Sequence, residues 1–369
     1  MKNVFLFIFS FVCSLLSVAQ VSSGALKNAF ADRFLIGTAV SPHQLEGKSK
    51  ELICSQFNAV VAENCMKCEA LQKRPGVFDF SDADKIVDFA EANGLTVTGH
   101  CLVWHQQTPE WFFKDKDGNY VDREELIKRM RTHIYTVVGH FKGRILGWDV
   151  VNEAIEDNGE LRRSKWLDII GPDFIELAFK FAHEADPDAE LYYNDYSMDR
   201  PGKRKAVVEL IGRLRKNGCR IDAVGMQSHL SLGSDLKEYE ASLKAFADAG
   251  VKVMATELDV TVLPWRTPNA GADLGVNGRY DKETDPYRDG LPKDVAERQA
   301  DFYERLFDIY LRHSDVVSRV TFWGLTDGNS WKNDWPVRGR TDYPLLFSRD
   351  GKQKPFVARL MEMGKKGGK

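Results

Sequence analysis

The chain has 369 residues, 43% of them hydrophobic and 28% charged. That balance excludes a disordered, collagen-like or coiled-coil chain. Lys and Arg number 51 against 54 Asp and Glu, a formal net charge of −3. Apart from Lys365, Lys366 and Lys369 no block of like charge stands out, so the basic face of a nucleic-acid binder is missing and no such partner is expected.

In chain order, the first element is not part of the fold. Lys2 precedes an apolar run over residues 4–19 that is shorter than the ~20 residues a spanning helix needs. Ser17, Val18 and Ala19 offer small residues at a peptidase-accepted spacing, so 1–19 reads as a signal peptide. Residues 20–369 are then the mature chain, exported to the periplasm or the medium, with no membrane attachment after cleavage. Cys13 aside, Cys54, Cys65, Cys68, Cys101 and Cys219 remain, an odd set. They read as buried structural thiols, with a disulfide as the alternative. Cys65-x-x-Cys68 lacks the second ligand pair that a zinc site needs, so no metal is expected.

Short β-branched or apolar runs fall at 34–40, 57–63, 96–104, 147–153, 190–194, 223–229, 251–259 and 320–325. Segments of helical period separate them. Ser81 reads as an N-cap with acids behind it, ahead of Ile86 and Phe89, and Asn93-Gly94 as a stop. Further helical stripes are Leu126, Met130, Ile134 and Val137, then Phe174, Leu177 and Phe181, then Val207, Leu210 and Leu214. Leu243, Phe246 and Ala247 follow, then Val295, Phe302, Leu306 and Ile309. Eight strand-then-helix units in one chain point to an α/β fold, a single-domain (β/α)8 TIM barrel. Residues 264–290 have no period and carry many Gly, Pro, Asn and Asp, which reads as a rim loop insertion after the seventh strand.

In such a barrel catalytic groups come from the C-terminal ends of several strands. Those ends here hold Glu63-Asn64, Trp104-His105, Asn152-Glu153 and Asn194-Asp195, with His100, Gln227, His229, Glu257, Asp259 and Trp323 nearby. Glu153 and Glu257 belong to the fourth and seventh runs, so they can face each other across the mouth. Two carboxylates flanking one space are what glycoside hydrolysis requires: one protonated to assist the leaving oxygen, one ionised to attack. Mutual repulsion separates the two roles. For either Glu alone, pairing with a rim cation is the plainer reading.

Glu63-Asn64-Cys65-Met66-Lys67-Cys68-Glu69 and Gly99-His100-Cys101-Leu102-Val103-Trp104-His105 resemble signatures of glycoside hydrolase family 10, the xylanases. So do Trp148 to Ala154, Gly225 to His229, Thr256 to Asp259, and Trp323-Gly324 followed by Trp331, in order over residues 30–360. The resemblance implies a TIM barrel, hydrolysis of internal β-1,4-xylosidic bonds with retention, Glu153 as acid/base and Glu257 as nucleophile. It implies xylan and xylo-oligosaccharides as partners and no cofactor; a monomer is expected.

The resemblance further implies that Glu63, Asn64, Lys67, His100 and His105 hold sugar hydroxyls. Trp104, Trp323 and Trp331 offer flat faces to a pyranose, and Asn152 binds the 2-hydroxyl. Gln227 orients the nucleophile, and His229 bridges Glu257 and the supporting Asp259. Asn194 and Tyr196 match a segment lining the aglycone side. Cys68 stands where many members have Trp, which points to an altered wall there. Two other readings are a metal-dependent barrel hydrolase using His100, His105 and His229, and a non-catalytic xylan- or oligosaccharide-binding barrel. The first lacks a close His pair on one strand; the second has no need of an acid facing a base.

Overall fold

The computed structural model describes residues 24–264 and 278–366. The expected signal peptide, Cys13, and residues 265–277 of the expected insertion lie outside them. Among the described residues are nine parallel strands: β1 Leu35–Val40, β2 Ala59–Ala62, β3 Thr96–Trp104, β4 Gly147–Asn152, β5 Glu190–Asp195, β6 Ala223–Met226, β7 His229–Ser231, β8 Lys252–Thr261 and β9 Val317–Phe322. Neighbours pair in order from β1 to β6, β6 pairs with β8, β8 with β9 and β9 with β1, closing an eight-stranded (β/α)8 barrel. The short β7 extends the β8 edge through the pairs His229–Asp259, Leu230–Val260 and Ser231–Thr261.

Strand β4 is buried at all six positions, as parallel strands covered on both sides must be. The outer face packs on helices such as Arg123–His140 and Lys293–Arg312, whose apolar stripes (Met130 and Ile134; Phe302 and Leu306) are buried. The inner face is partly polar. Arg319 of β9 donates to Thr98 of β3 and lies 5.6 Å from the ring of Tyr192 on β5, a reach that only the lumen of a closed barrel allows. Close approach inside depends on missing side chains. A Cβ at Gly99 would stand 2.1 Å from the Trp148 ring, and one at Gly225 would stand 2.4 Å from Asn194 Oδ1.

The strand limits differ from the sequence reading at three places that matter. Run 57–63 contracts to β2, leaving Glu63 one residue beyond the strand. Run 223–229 splits into β6 and β7, because Ser228 adopts a left-handed φ of 66°. The last strand begins and ends earlier than 320–325, so Trp323 sits just past it. The helix expected to be capped by Ser81 starts at Ser81, and Asp79 accepts from its backbone N and Oγ. Helices Gly47–Gln56, Lys165–Ile170 and Pro355–Lys366 were not among the expected elements, although Phe356, Val357, Leu360 and Met361 of the last stand at helical spacing.

All five cysteines of the described residues are free thiols, three of them buried. Cys68 lies under the rim with Sγ 3.9 Å from His133 Nδ1 and is not among the residues that line the groove described below. Residues 278–290 form turns fastened to the barrel: Asp285 accepts from Thr341 N at 2.9 Å, and Tyr343 OH donates to Tyr287 O at 3.0 Å.

Gly225→Ala should therefore cost about 1–3 kcal/mol of stability, because the new methyl meets strand-borne groups rather than a flexible tip. It should also lower turnover more than Gly139→Ala, whose Cβ meets nothing within 4 Å and whose backbone is not left-handed. Urea unfolding and initial rates on the same preparations check both effects.

Candidate active site

The C-terminal ends of the strands open into one groove of about 630 Å³. Glu153 lies one residue past β4 and Glu257 lies within β8, and both line it. Both are about one-twentieth exposed.

Glu153 has a left-handed backbone, φ 57°. A non-glycine residue holds that conformation only when its surroundings fix it. Strand β5 does so through Asn194 O, which accepts from Glu153 N at 2.9 Å, and through Tyr193 OH, which accepts from Ala154 N at 3.1 Å. Arg162 Nε closes the other side, donating to Glu153 O at 2.8 Å. The carboxylate then receives Trp104 Nε1 on Oε2 and Gln227 Nε2 on Oε1, both at 2.9 Å. Burial raises this carboxyl above the usual range, and the carboxylates of Asp195 and Glu257 push the same way, against the Gln227 and Trp104 bonds.

Glu257 has the opposite surroundings. Burial again pushes its carboxyl up, but His229 Nε2 at 3.2 Å, the charge of His100 and a 2.7 Å bond from Asn194 Nδ2 outweigh it and hold it below the ordinary value. Asn194 is oriented because Thr256 Oγ1 donates to its Oδ1 at 2.6 Å. His229 turns its Nδ1 to Asp259 Oδ2 at 2.9 Å. Burial works against its proton, yet Asp259 and Glu257 raise it to about 9. Two carboxyls sharing one groove are thus shifted in opposite directions, Glu153 upward and Glu257 downward.

Most residues singled out from the sequence line the same groove. Lys67 Nζ donates to Asn64 Oδ1 at 3.0 Å and Gln107 Oε1 at 2.9 Å and lies 5.0 Å from the Trp104 ring, so it is not a surface lysine. Glu63 accepts from Ser41 Oγ at 3.2 Å, and His100 Nδ1 lies 2.9 Å from Asp149 Oδ2. Asn152 lies within 2.9 and 3.3 Å of the side-chain nitrogens of Asn194 and Gln227. Trp323, Trp331 and Tyr196 line the walls.

Two of those residues stand elsewhere. His105, expected on the sugars, sits in a small cleft behind Glu153 beside Arg162 and Trp166. Burial and the charges of Arg162 and Lys203 depress it to about 3, so it is neutral there. It is the last of the 99–105 motif, and the chain turns away from the mouth after Trp104. Asn194, expected on the aglycone side, is fully buried and holds Glu257 instead of facing the groove.

Sequence reasoning missed Arg162, which braces the Glu153 peptide and donates to the Tyr196 hydroxyl, and Gln107, the partner of Lys67. Neither lies in a recognisable motif. It also missed Trp335, whose ring stacks on Trp331 at 4.8 Å and 16°; the Trp331-x-x-x-Trp335 spacing was its one available signal.

A barrel with two glutamates on a single groove, their carboxyls shifted in opposite directions, has the arrangement that glycoside hydrolysis requires. Residues 25–363 match the model of glycosyl hydrolase family 10, and the chain belongs to that family. It is 52% identical over 355 residues to endo-1,4-beta-xylanase A of Xylanibacter ruminicola, covering 95% of this chain and 96% of that one. A GH10 endoxylanase from a sugarcane soil metagenome superposes with a TM-score of 0.87 at 45% identity, covering 93% of this chain and 100% of that one. A mutant structure in complex with xylotriose gives 0.84 at 34% identity, covering 92% and 100%.

The His229 environment has a signature in stability. Its folded value of about 9 exceeds the ordinary 6.5, so its contribution is full below pH 6.5 and is lost as pH rises to about 9. The expected loss is on the order of 3 kcal/mol. Urea unfolding between pH 6 and 9.5 should show it in the parent protein and a much flatter dependence in His229→Asn.

Proposed function

We propose that this enzyme is a retaining endo-1,4-β-xylanase that cleaves internal β-1,4-xylosidic bonds of xylan and xylo-oligosaccharides by double displacement. Glu257 attacks the anomeric carbon while Glu153 gives its proton to the departing glycosidic oxygen. Glu153, now ionised, then takes a proton from a water whose oxygen bonds to the anomeric carbon, breaking that carbon's bond to Glu257 and freeing the carboxylate. The observation that carries this reading is the pair of glutamates on one groove whose neighbours shift their carboxyls in opposite directions. The named activity of the 52% identical relative and the xylotriose complex of a structural neighbour support xylan as substrate.

Glu63, Asn64, Lys67, His100 and Asn152 bind the sugar hydroxyls in this reading, and Trp104, Trp323 and Trp331 supply flat apolar walls. Gln227 and Trp104 hold the acid/base; Asn194, His229 and Asp259 hold the nucleophile. Export after cleavage of residues 1–19 belongs to the same proposal and rests on the sequence of that segment.

Glu257→Ala should lower turnover by roughly four orders of magnitude or more on xylan and on activated aryl xylosides alike. Glu153→Ala should cost about 10²–10⁴-fold on xylan but far less on aryl glycosides whose leaving group needs no proton. Equal losses on both substrates would remove Glu153 from that role. Proton NMR of fresh digests should show the β-anomer first; the α-anomer first would replace double displacement with inversion.

A further inference from the structure

The nucleophile's supporting row does not end at Asp259. Asp259 Oδ2 is shared by His229 Nδ1 and Trp331 Nε1, each at 2.9 Å. Its second oxygen, Oδ1, has no hydrogen-bond donor and faces Lys332 Nζ at 3.9 Å. Lys332 is itself only 4% exposed. Its ammonium lies 4.3 Å from the Trp331 ring and 5.7 Å from the Trp335 ring, two stacked indoles that line the groove with it. Glu257, His229, Asp259 and Lys332 therefore form a buried line of alternating sign, with links of 3.2, 2.9 and 3.9 Å.

Without its last member that line carries one net negative charge, with His229 protonated. A buried uncompensated charge is expensive and is relieved by taking up a proton. Resting on the reading of Glu257 as nucleophile, we propose that Lys332 is a positioning residue that completes this line and so keeps Glu257 anionic. The other groups facing the line are themselves paired or opposed. His100 faces Glu257 and is bound to Asp149. Asp342 and Arg340 both act on Lys332, with opposite signs. Glu153 faces Glu257 from just past β4, its own carboxyl pushed up by burial and by Asp195. Lys332 is thus the cation that leaves the line one charge short when it is removed.

The sign of the effect follows. Lys332→Met should raise the acidic limb of the kcat/KM profile by roughly half to one pH unit. Lys332→Arg should return that limb to the parent position. A role limited to holding sugar would instead raise KM and leave the limb in place, and that result overturns the proposal. Lys332→Gln serves where the Met variant does not fold; an unmoved limb in whichever neutral variant folds has the same force. Carbon-13 titration of the Glu257 carboxyl in the variants reads the shift without turnover. A titration that does not move when Lys332 is neutralised rejects Lys332 alone, whereas full activity of Glu257→Ala rejects the nucleophile assignment alone.

Discussion

Two buried carboxylates that open on one groove repel each other, and the structure resolves that repulsion by giving each a different set of neighbours. Around Glu153 are burial, Asp195, and two neutral donors, Gln227 and Trp104. Around Glu257 are a protonated imidazole, His229, and an amide locked by Thr256. Hydrogen bonding to an ionised carboxylate favours ionisation, while desolvation and like charge favour the proton. Two residues of one chemical type are thereby shifted in opposite directions.

The barrel makes that asymmetry possible because each neighbour arrives on a different strand. Glu153 follows β4, its backbone is fixed by β5, and its donors come from β3 and the residue after β6. Glu257 lies on β8 and draws on β5 and β7. Parallel strands present all these ends on one rim. The glycines within the strands matter for the same reason. Gly225 leaves the space in which Asn194 reaches Glu257, so packing inside the cylinder and chemistry at its mouth depend on one small residue.

The barrel was legible because its strands are apolar nearly throughout and its helices carry stripes at helical spacing, signals that survive errors of a few residues at each end. The glutamate pair was legible because charged residues at strand ends are costly unless used. What the sequence did not disclose depended on backbone geometry at single residues. Nothing in Gln227-Ser228-His229 announces that Ser228 adopts a left-handed φ and breaks one run into two strands. His105 and Trp104 are adjacent, yet one turns behind Glu153 and the other onto it. Asn194 read as a wall residue because a strand-end amide gives no hint whether it faces substrate or another side chain. Arg162 was invisible for a further reason: its partner is a backbone carbonyl, which carries no sequence identity.

The most direct measurement is the titration of both carboxyls by carbon-13 NMR in protein labelled at Glu Cδ, with Glu153→Gln and Glu257→Gln used to assign the signals. Glu257 is expected to titrate below the ordinary glutamate value and Glu153 above it, with the Glu153 signal moving down in the Glu257→Gln protein as the facing charge is lost. The reverse order, or two signals that titrate together near the ordinary value, would contradict the division of labour on which the mechanism rests.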